Sequence, residues 1–333
     1  MNILYLHKEE WEKEYVNGHL TGHNTYFSKS FEETPVDILN SIEILSIFVS
    51  HKCGVEEIAK LPNLKLIVAR STGFDYVDVG AARSKGIEVA YVPSYGENTV
   101  AEFAFALLLA ISRKIPEAHE QVTETGSFTQ SSLCGFDLKG KTIGVIGTGR
   151  IGTNAIKMAK GFNMNVVAYD PFPKQNLEEK LGFRYVGFEE LLSLSDVITL
   201  HAMLSDSTRH MINEESIKHI KRGAVLINTA RGGLVQTSAL VKALEEDIIS
   251  AAGLDVLEEE GDMNDEMNLL NDSHPKLEEL KNVLANHYLI NHPKVIVTPH
   301  IAFNTTEAIH RILDTTIENI NAFASGEVKN RVP

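Results

Sequence analysis

VIGTGRIGTN, residues 145–154, places glycines at 147, 149 and 152 between an apolar run and a stretch with helical spacing. Glycines at this spacing can mark a tight turn and nothing more, or a cradle for the diphosphate of a dinucleotide. The flanking sequence decides between the two. Upstream, KTIGVIG from Lys141 reads as a buried strand; downstream, IGTNAIKMAKGF reads as a helix. In a strand–turn–helix unit, Gly147 allows the turn, Gly149 lets backbone approach a diphosphate, and Gly152 permits close helix–strand packing. The N–H groups and the dipole at the helix start then hold the anion. The next strand, MNVVAYD, ends in Asp170, 18 residues beyond Gly152, close to the ~20 expected for the acid that bonds the adenosine ribose hydroxyls. A carboxylate there repels a 2′-phosphate, so the cradle is read as one for NAD rather than NADP.

Around this unit the chain repeats the same alternation. After the first two strands come SDVITLHA, GAVLINTA, ISAAGLDV and KVIVTPH, with FEELLSLS, NEESIKHIK and TSALVKALEED as intervening helices. Six strands separated by helices are what two mononucleotide-binding halves give. Before residue 98, NILYLH (2–7), EILSIFVS (43–50) and LKLIVAR (64–70) alternate with helical segments, which argues for a second parallel α/β sheet. From Asn98, NTVAEFAFALLLAISRKIPEAHEQV reads as one long helix, apolar on most faces in its first half and expected to be buried between domains or subunits. The acidic stretch 258–292 reads as a surface excursion with some helix. The last segment, NTTEAIHRILDTTIENINAFASG, reads as an amphipathic helix that packs back on the first domain.

Composition excludes several functions. Lys+Arg 31 against Asp+Glu 45 gives a net charge of −14, which opposes a phosphate backbone held by cations, so no nucleic-acid partner is expected. Cys53 and Cys134 fall outside any Cys/His metal spacing, and no metal site is expected. The longest apolar run, FAFALLLAI, has nine residues against the roughly 20 a spanning helix needs. The N-terminus turns acidic after six residues without a signal-peptide core. No membrane segment and a cytoplasmic location are expected.

Ligands of open parallel sheets bind beyond the carboxyl ends of strands, where three polar residues stand. Arg231 follows AVLINTA, Glu260 lies five residues past the Asp255 that closes AAGLDV, and His300 follows VIVTP. Hydride transfer to a 2-oxo acid needs a cation for the carboxylate and carbonyl oxygen, a proton donor, and a group that keeps the donor charged. Arg, His and Glu supply these in turn.

RSTGFDYVD (70–78), VPSYGENTVAE (92–102), GVIGTGRIG (144–152), INTARGGLV (227–235), GLDVLEEE (253–260) and VTPHIAF (297–303) together resemble the D-isomer-specific 2-hydroxyacid dehydrogenase family, most closely its D-lactate dehydrogenase branch. The resemblance implies an α/β fold of two Rossmann-like domains. One is a doubly wound, NAD-binding domain over 98–299; the other is a smaller, flavodoxin-like substrate domain over 1–97 and 300–333, with pairing into a homodimer. It makes Arg231 the substrate's cation, His300 the acid/base and Glu260 its partner. Thr72 and Gly73 are implied to donate N–H groups to the substrate carboxylate, and Tyr95 and Phe303 to wall its methyl side. Arg150 and Ile151 are implied along the diphosphate, with Thr229, Ala230 and Asp255 at the nicotinamide end.

Two departures limit the match. Met203 stands in LHAM, after Ala202, where the family commonly has proline, which loosens the expected cofactor contacts of both residues. Ser50 replaces an aromatic common in lactate-selective members. The expected reaction is pyruvate and NADH to D-lactate and NAD, with larger branched or aromatic 2-oxo acids, a phosphorylated hydroxyacid, or a non-catalytic NAD-sensing role, as alternatives.

Overall fold

The computed structural model describes residues 1–7, 9–258 and 277–333. The chain forms two compact units, Met1–Tyr95 with Thr305–Pro333, and Gly96–Asn304. The second crossing thus falls after Asn304, so His300 and Phe303 travel with the glycine-rich unit.

The first unit is a five-stranded parallel sheet. Its strands are β1 (Asn2–Leu6), β2 (Asn24–Ser28), β3 (Ile44–Ile47), β4 (Leu66–Ala69) and β5 (Glu88–Tyr91), in the order β2-β1-β3-β4-β5. Alternation along β1 sends Leu4 and Leu6 into one core and Ile3 and Tyr5 into the other. The C-terminal helix, Thr306–Ala324, joins the second of these cores through Leu313, Ile317 and Ile320. Its 3.6-residue apolar spacing is what the sequence displays, and Thr305 caps its start by accepting from the Ala308 amide at 3.2 Å.

The second unit is a seven-stranded parallel sheet: β6 (Thr142–Ile146), β7 (Asn165–Tyr169), β8 (Arg184–Tyr185), β9 (Val197–Leu200), β10 (Ala224–Asn228), β11 (Ile249–Leu254) and β12 (Val295–Val297), in the order β12-β11-β10-β9-β6-β7-β8. The order reverses direction beside β6, which places the glycine-rich turn at the switch point of the sheet. Separate cores cover the two faces. Among the described residues no helix is long and apolar enough to cross a membrane.

Three local expectations are corrected. The long helix is two, Glu97–Ser112 and Ile115–Thr125, broken where Lys114 turns left-handed at φ 54°. Pro116 explains the break, because its ring would clash with the carbonyl four residues back and it has no N–H to donate. The first of the pair is buried in the second unit's own core, through Ala101, Ala104, Phe105, Leu108 and Ile111. NEESIKHIK yields only a 3₁₀ turn, Ser216–His219, since the Asn213 side chain accepts from the Glu215 and Ser216 amides at 2.9 and 3.0 Å and competes with the helix. Finally, the six strands expected for this unit become seven, because the two-residue β8 is too short to show a period in sequence.

Candidate active site

The glycine turn is built by close contact. Gly147, at φ 89°, leaves β6 in a backbone region that disfavours side chains, and a Cβ there would sit 2.7 Å from the His201 carbonyl. A Cβ on Gly152 would lie 1.9 Å from the Gly147 oxygen. Gly149 differs: its Cβ position is open, and it is the N-cap of helix Arg150–Gly161 without any side-chain cap bond. The helix carrying Arg150 and Ile151 therefore begins at a residue with no side chain over its start. This fits a dinucleotide diphosphate. Asp170 is tied to the same turn, Oδ2 accepting from the Thr148 amide at 2.7 Å and hydroxyl at 2.9 Å, and Oδ1 accepting from the Phe172 amide at 2.9 Å. The turn and the acid are thus fixed to each other.

Beside the glycines lies His201, which the sequence reading passed over. It is half-buried, Nε2 lies 3.0 Å from the Thr199 hydroxyl, and the buried Nδ1 has no partner. Burial pulls its pKa down to about 4, so the ring is neutral. The LH pair in LHAM carries the signal, an imidazole immediately after a wholly buried strand. Ala202 is half-buried against the core, whereas Met203 is 81% exposed.

Three neighbouring strand ends carry Arg231, Asp255 and His300. β10 ends at Asn228, whose side chain accepts from the Ala230 amide at 3.1 Å and donates to the Arg231 carbonyl at 2.9 Å. That bracket closes the turn that presents Arg231, half-buried, with Nη1 donating to the Ala230 carbonyl at 2.8 Å. Thr229 is buried with its hydroxyl unpaired. Asn228 was not singled out in the sequence, although an amide at a strand's last position is a recognisable turn-former.

Next in the sheet, β11 runs into Asp255, which is wholly buried. Its carboxylate accepts from the Thr298 hydroxyl at 2.6 Å, the Ile301 amide at 2.9 Å and the Ala302 amide at 2.7 Å. Burial raises the Asp255 pKa, opposed by those hydrogen bonds and by His300. This carboxylate therefore builds the turn after β12. Within the turn His300 sits at φ 52°, its amide donating to the Asp255 carbonyl at 2.8 Å, and its ring meets buried Phe303 edge-on at 6.5 Å. Glu260 lies outside the described residues.

In the first unit, Thr72 and Gly73 form the turn after β4. The Thr72 hydroxyl donates to the Val92 carbonyl at 3.0 Å, and Ser71 donates to the Gly73 carbonyl at 2.6 Å. Tyr95 follows β5 and is half-buried. Ser50, past β3, is exposed, with its hydroxyl 3.1 Å from His51 Nδ1.

The sequence of residues 105–302 matches the family model for the NAD-binding domain of D-isomer specific 2-hydroxyacid dehydrogenases. Glyoxylate reductase of Thermococcus litoralis is 39% identical over 87% of this chain and 83% of its own. D-lactate dehydrogenase of Escherichia coli is 34% identical over 98% of both. The crystal structure of Aquifex aeolicus D-lactate dehydrogenase, complexed with NAD and lactic acid, superposes with a TM-score of 0.88 at 33% identity, covering 100% of this chain and 99% of that one.

Proposed function

Because the chain belongs to the D-isomer specific 2-hydroxyacid dehydrogenase family and is an NAD-dependent oxidoreductase, we propose that it reduces pyruvate to D-lactate. The carrying observation is that β10, β11 and β12 are adjacent and that their carboxyl ends bring Arg231, Asp255 and His300 to one sheet edge. The bound nicotinamide supplies the hydride. Arg231 grips the substrate carboxylate and polarises the carbonyl with its planar fork of donors. His300, held by the Asp255 turn, gives a proton to the carbonyl oxygen as it becomes a hydroxyl, and takes it back in oxidation. Glu260 keeps His300 charged for that transfer, while Thr72 and Gly73 offer amides to the carboxylate and Tyr95 and Phe303 exclude bulk.

The cofactor grip follows from the open helix start at Gly149 and from Asp170. Substrate size rests on Ser50, which supplies a small exposed side chain where an aromatic would crowd the acid. Each methylene in an apolar pocket is worth only ~1–3 kcal/mol, so 2-oxobutyrate is expected to be used comparably to pyruvate. The glyoxylate reductase relative adds glyoxylate as a second, smaller candidate substrate. A homodimer in the cytoplasm completes the reading.

The test is kcat/KM with NADH across glyoxylate, pyruvate, 2-oxobutyrate, 4-methyl-2-oxopentanoate and phenylpyruvate, with the product's configuration assigned. Pyruvate and 2-oxobutyrate at the optimum, giving D-products, is the expected result. An optimum at glyoxylate or at a branched or aromatic acid would replace the lactate assignment.

A further inference from the structure

The Arg231 turn rests on another segment. A Cβ built on Gly232 would lie 1.9 Å from the Leu257 carbonyl oxygen and 2.4 Å from the Glu258 amide nitrogen, so backbone packs directly on backbone. Buried Glu258, 5% exposed, then reaches from that contact to the segments on either side. Its Oε2 accepts from the Thr237 amide at 3.2 Å and hydroxyl at 2.9 Å. Thr237 opens helix Thr237–Glu245, whose own N-cap Gln236 makes no side-chain bond. The carboxylate thus caps that helix from outside, at the end where the dipole favours negative charge. Its Oε1 meets His210 Nε2 and faces the Arg209 guanidinium at 4.0 Å. His210 is itself left-handed at φ 52°, and its segment pairs with the stretch after the Arg231 turn. The His210 amide donates to Gly233 at 2.8 Å, Ile212 to Leu234 at 3.0 Å, and Gln236 back to Ile212 at 2.8 Å. On the backbone side, the Glu258 carbonyl accepts from Asn286 at 2.8 Å.

One buried carboxylate therefore joins the chain after β9, after β10 and after β11 around the residue that follows Arg231. Its partners are all in place, which a charge withdrawn from water requires. Glu258 is thus committed to this junction through both carboxylate oxygens.

We infer that Glu258 is a positioning residue for the reaction, holding the Arg231 turn in the orientation in which the guanidinium meets the substrate. This rests on the reading of Arg231 as the substrate's cation. A misplacement of about 1 Å at such a contact costs about 10²-fold in rate.

The test measures kcat/KM for the best 2-oxo acid across pH, NADH affinity and thermal stability for Glu258→Ala, Glu258→Gln, Arg231→Ala and the double variant Glu258→Ala/Arg231→Ala. Glu258→Ala is expected to lower kcat/KM by about 10²-fold with NADH affinity within about twofold. Glu258→Gln, whose amide still accepts from Thr237 and can face His210, should restore most of the rate and leave the pH limits in place. In the Arg231→Ala background the same loss should shrink to about threefold or less, because residues acting through one another are not additive. Should Glu258→Ala not fold, Thr237→Val removes only the hydroxyl contact and should show a smaller loss with the same non-additivity. Full additivity, or a lower melting temperature with unchanged kcat/KM, would overturn the inference. So would a Gln variant whose alkaline limit moves, since that would make Glu258 the proton partner itself. If Arg231→Ala alone retained full activity, the reading of Arg231 would fall and the inference with it.

Discussion

β1 and β6 hold the same place in their respective sheets, each paired on both sides and each followed by a helix. The helix after β1, Glu10–His19, closes its own start. Glu12 Oε1 accepts from the Glu9 amide at 3.0 Å, and Oε2 accepts at 2.7 Å from Arg70, which also reaches the Tyr5 hydroxyl and the Leu6 carbonyl. After β6, helix Arg150–Gly161 starts at Gly149 with no side-chain cap and open space beyond. One sheet edge carries its carboxylate and its cation internally; the other has only a glycine at its helix start. The same strand–helix step becomes scaffold or binding site according to what satisfies the helix start.

The largest expected effect is on the closed edge. Arg70 is buried with Glu12, and Arg70→Ala leaves that carboxylate uncompensated, so stability in urea should fall by about 3–5 kcal/mol with NADH affinity unchanged. Replacing both partners by apolar residues should recover most of it. A loss below about 1 kcal/mol for the single variant would mean the edge is not closed by this pair.

On the open edge, His201 titrates in the opposite sense from a paired histidine. Its folded pKa of about 4 lies below the ordinary 6.5, so the folded state binds the proton less readily than the unfolded one. Its contribution is complete above about pH 6.5 and is lost as pH falls toward 4, by about 3 kcal/mol. Urea midpoints at pH 7, 5.5 and 4 should show this decline in the unmodified protein and a shallower one in His201→Gln. Parallel curves would assign the acid loss elsewhere.

A smaller effect comes from copying the first edge's solution onto the second. Gly149 has an extended backbone and free space at Cβ, so Gly149→Asp fits without strain and supplies a side-chain cap. Stability should hold or rise by about 1 kcal/mol, while NADH affinity drops by about 10²-fold as the new carboxylate meets the diphosphate, a difference of about 2.7 kcal/mol. Unchanged affinity would separate the cofactor from this helix start.

The second edge was largely legible in sequence because its signals are local. Gly147, Gly149, Gly152 and Asp170 fall within one strand–turn–helix–strand unit, and Arg231, Asp255 and His300 each stand within a few residues of an apolar run's end. The first edge was not, since Arg70 finds Tyr5 and Glu12 only after β4 and β1 are brought to opposite sides of β3. Glu258 was hidden for the same reason: its partners His210 and Thr237 are 48 and 21 residues away. The long-helix expectation failed where Pro116 outweighed apolar periodicity. The role of Asp255 in building the His300 turn appears only once β11 and β12 are seen as neighbours.

The central claim is that the chemistry sits on the three adjacent strand ends of the second unit, with His300 moving the proton. Its most direct test is the single-turnover rate of NADH oxidation by pyruvate in His300→Ala against the unmodified protein, with NADH affinity measured in parallel. The rate should fall by about 10²-fold or more while affinity stays within about twofold. An unchanged rate at full NADH binding would place the acid/base elsewhere and contradict the account.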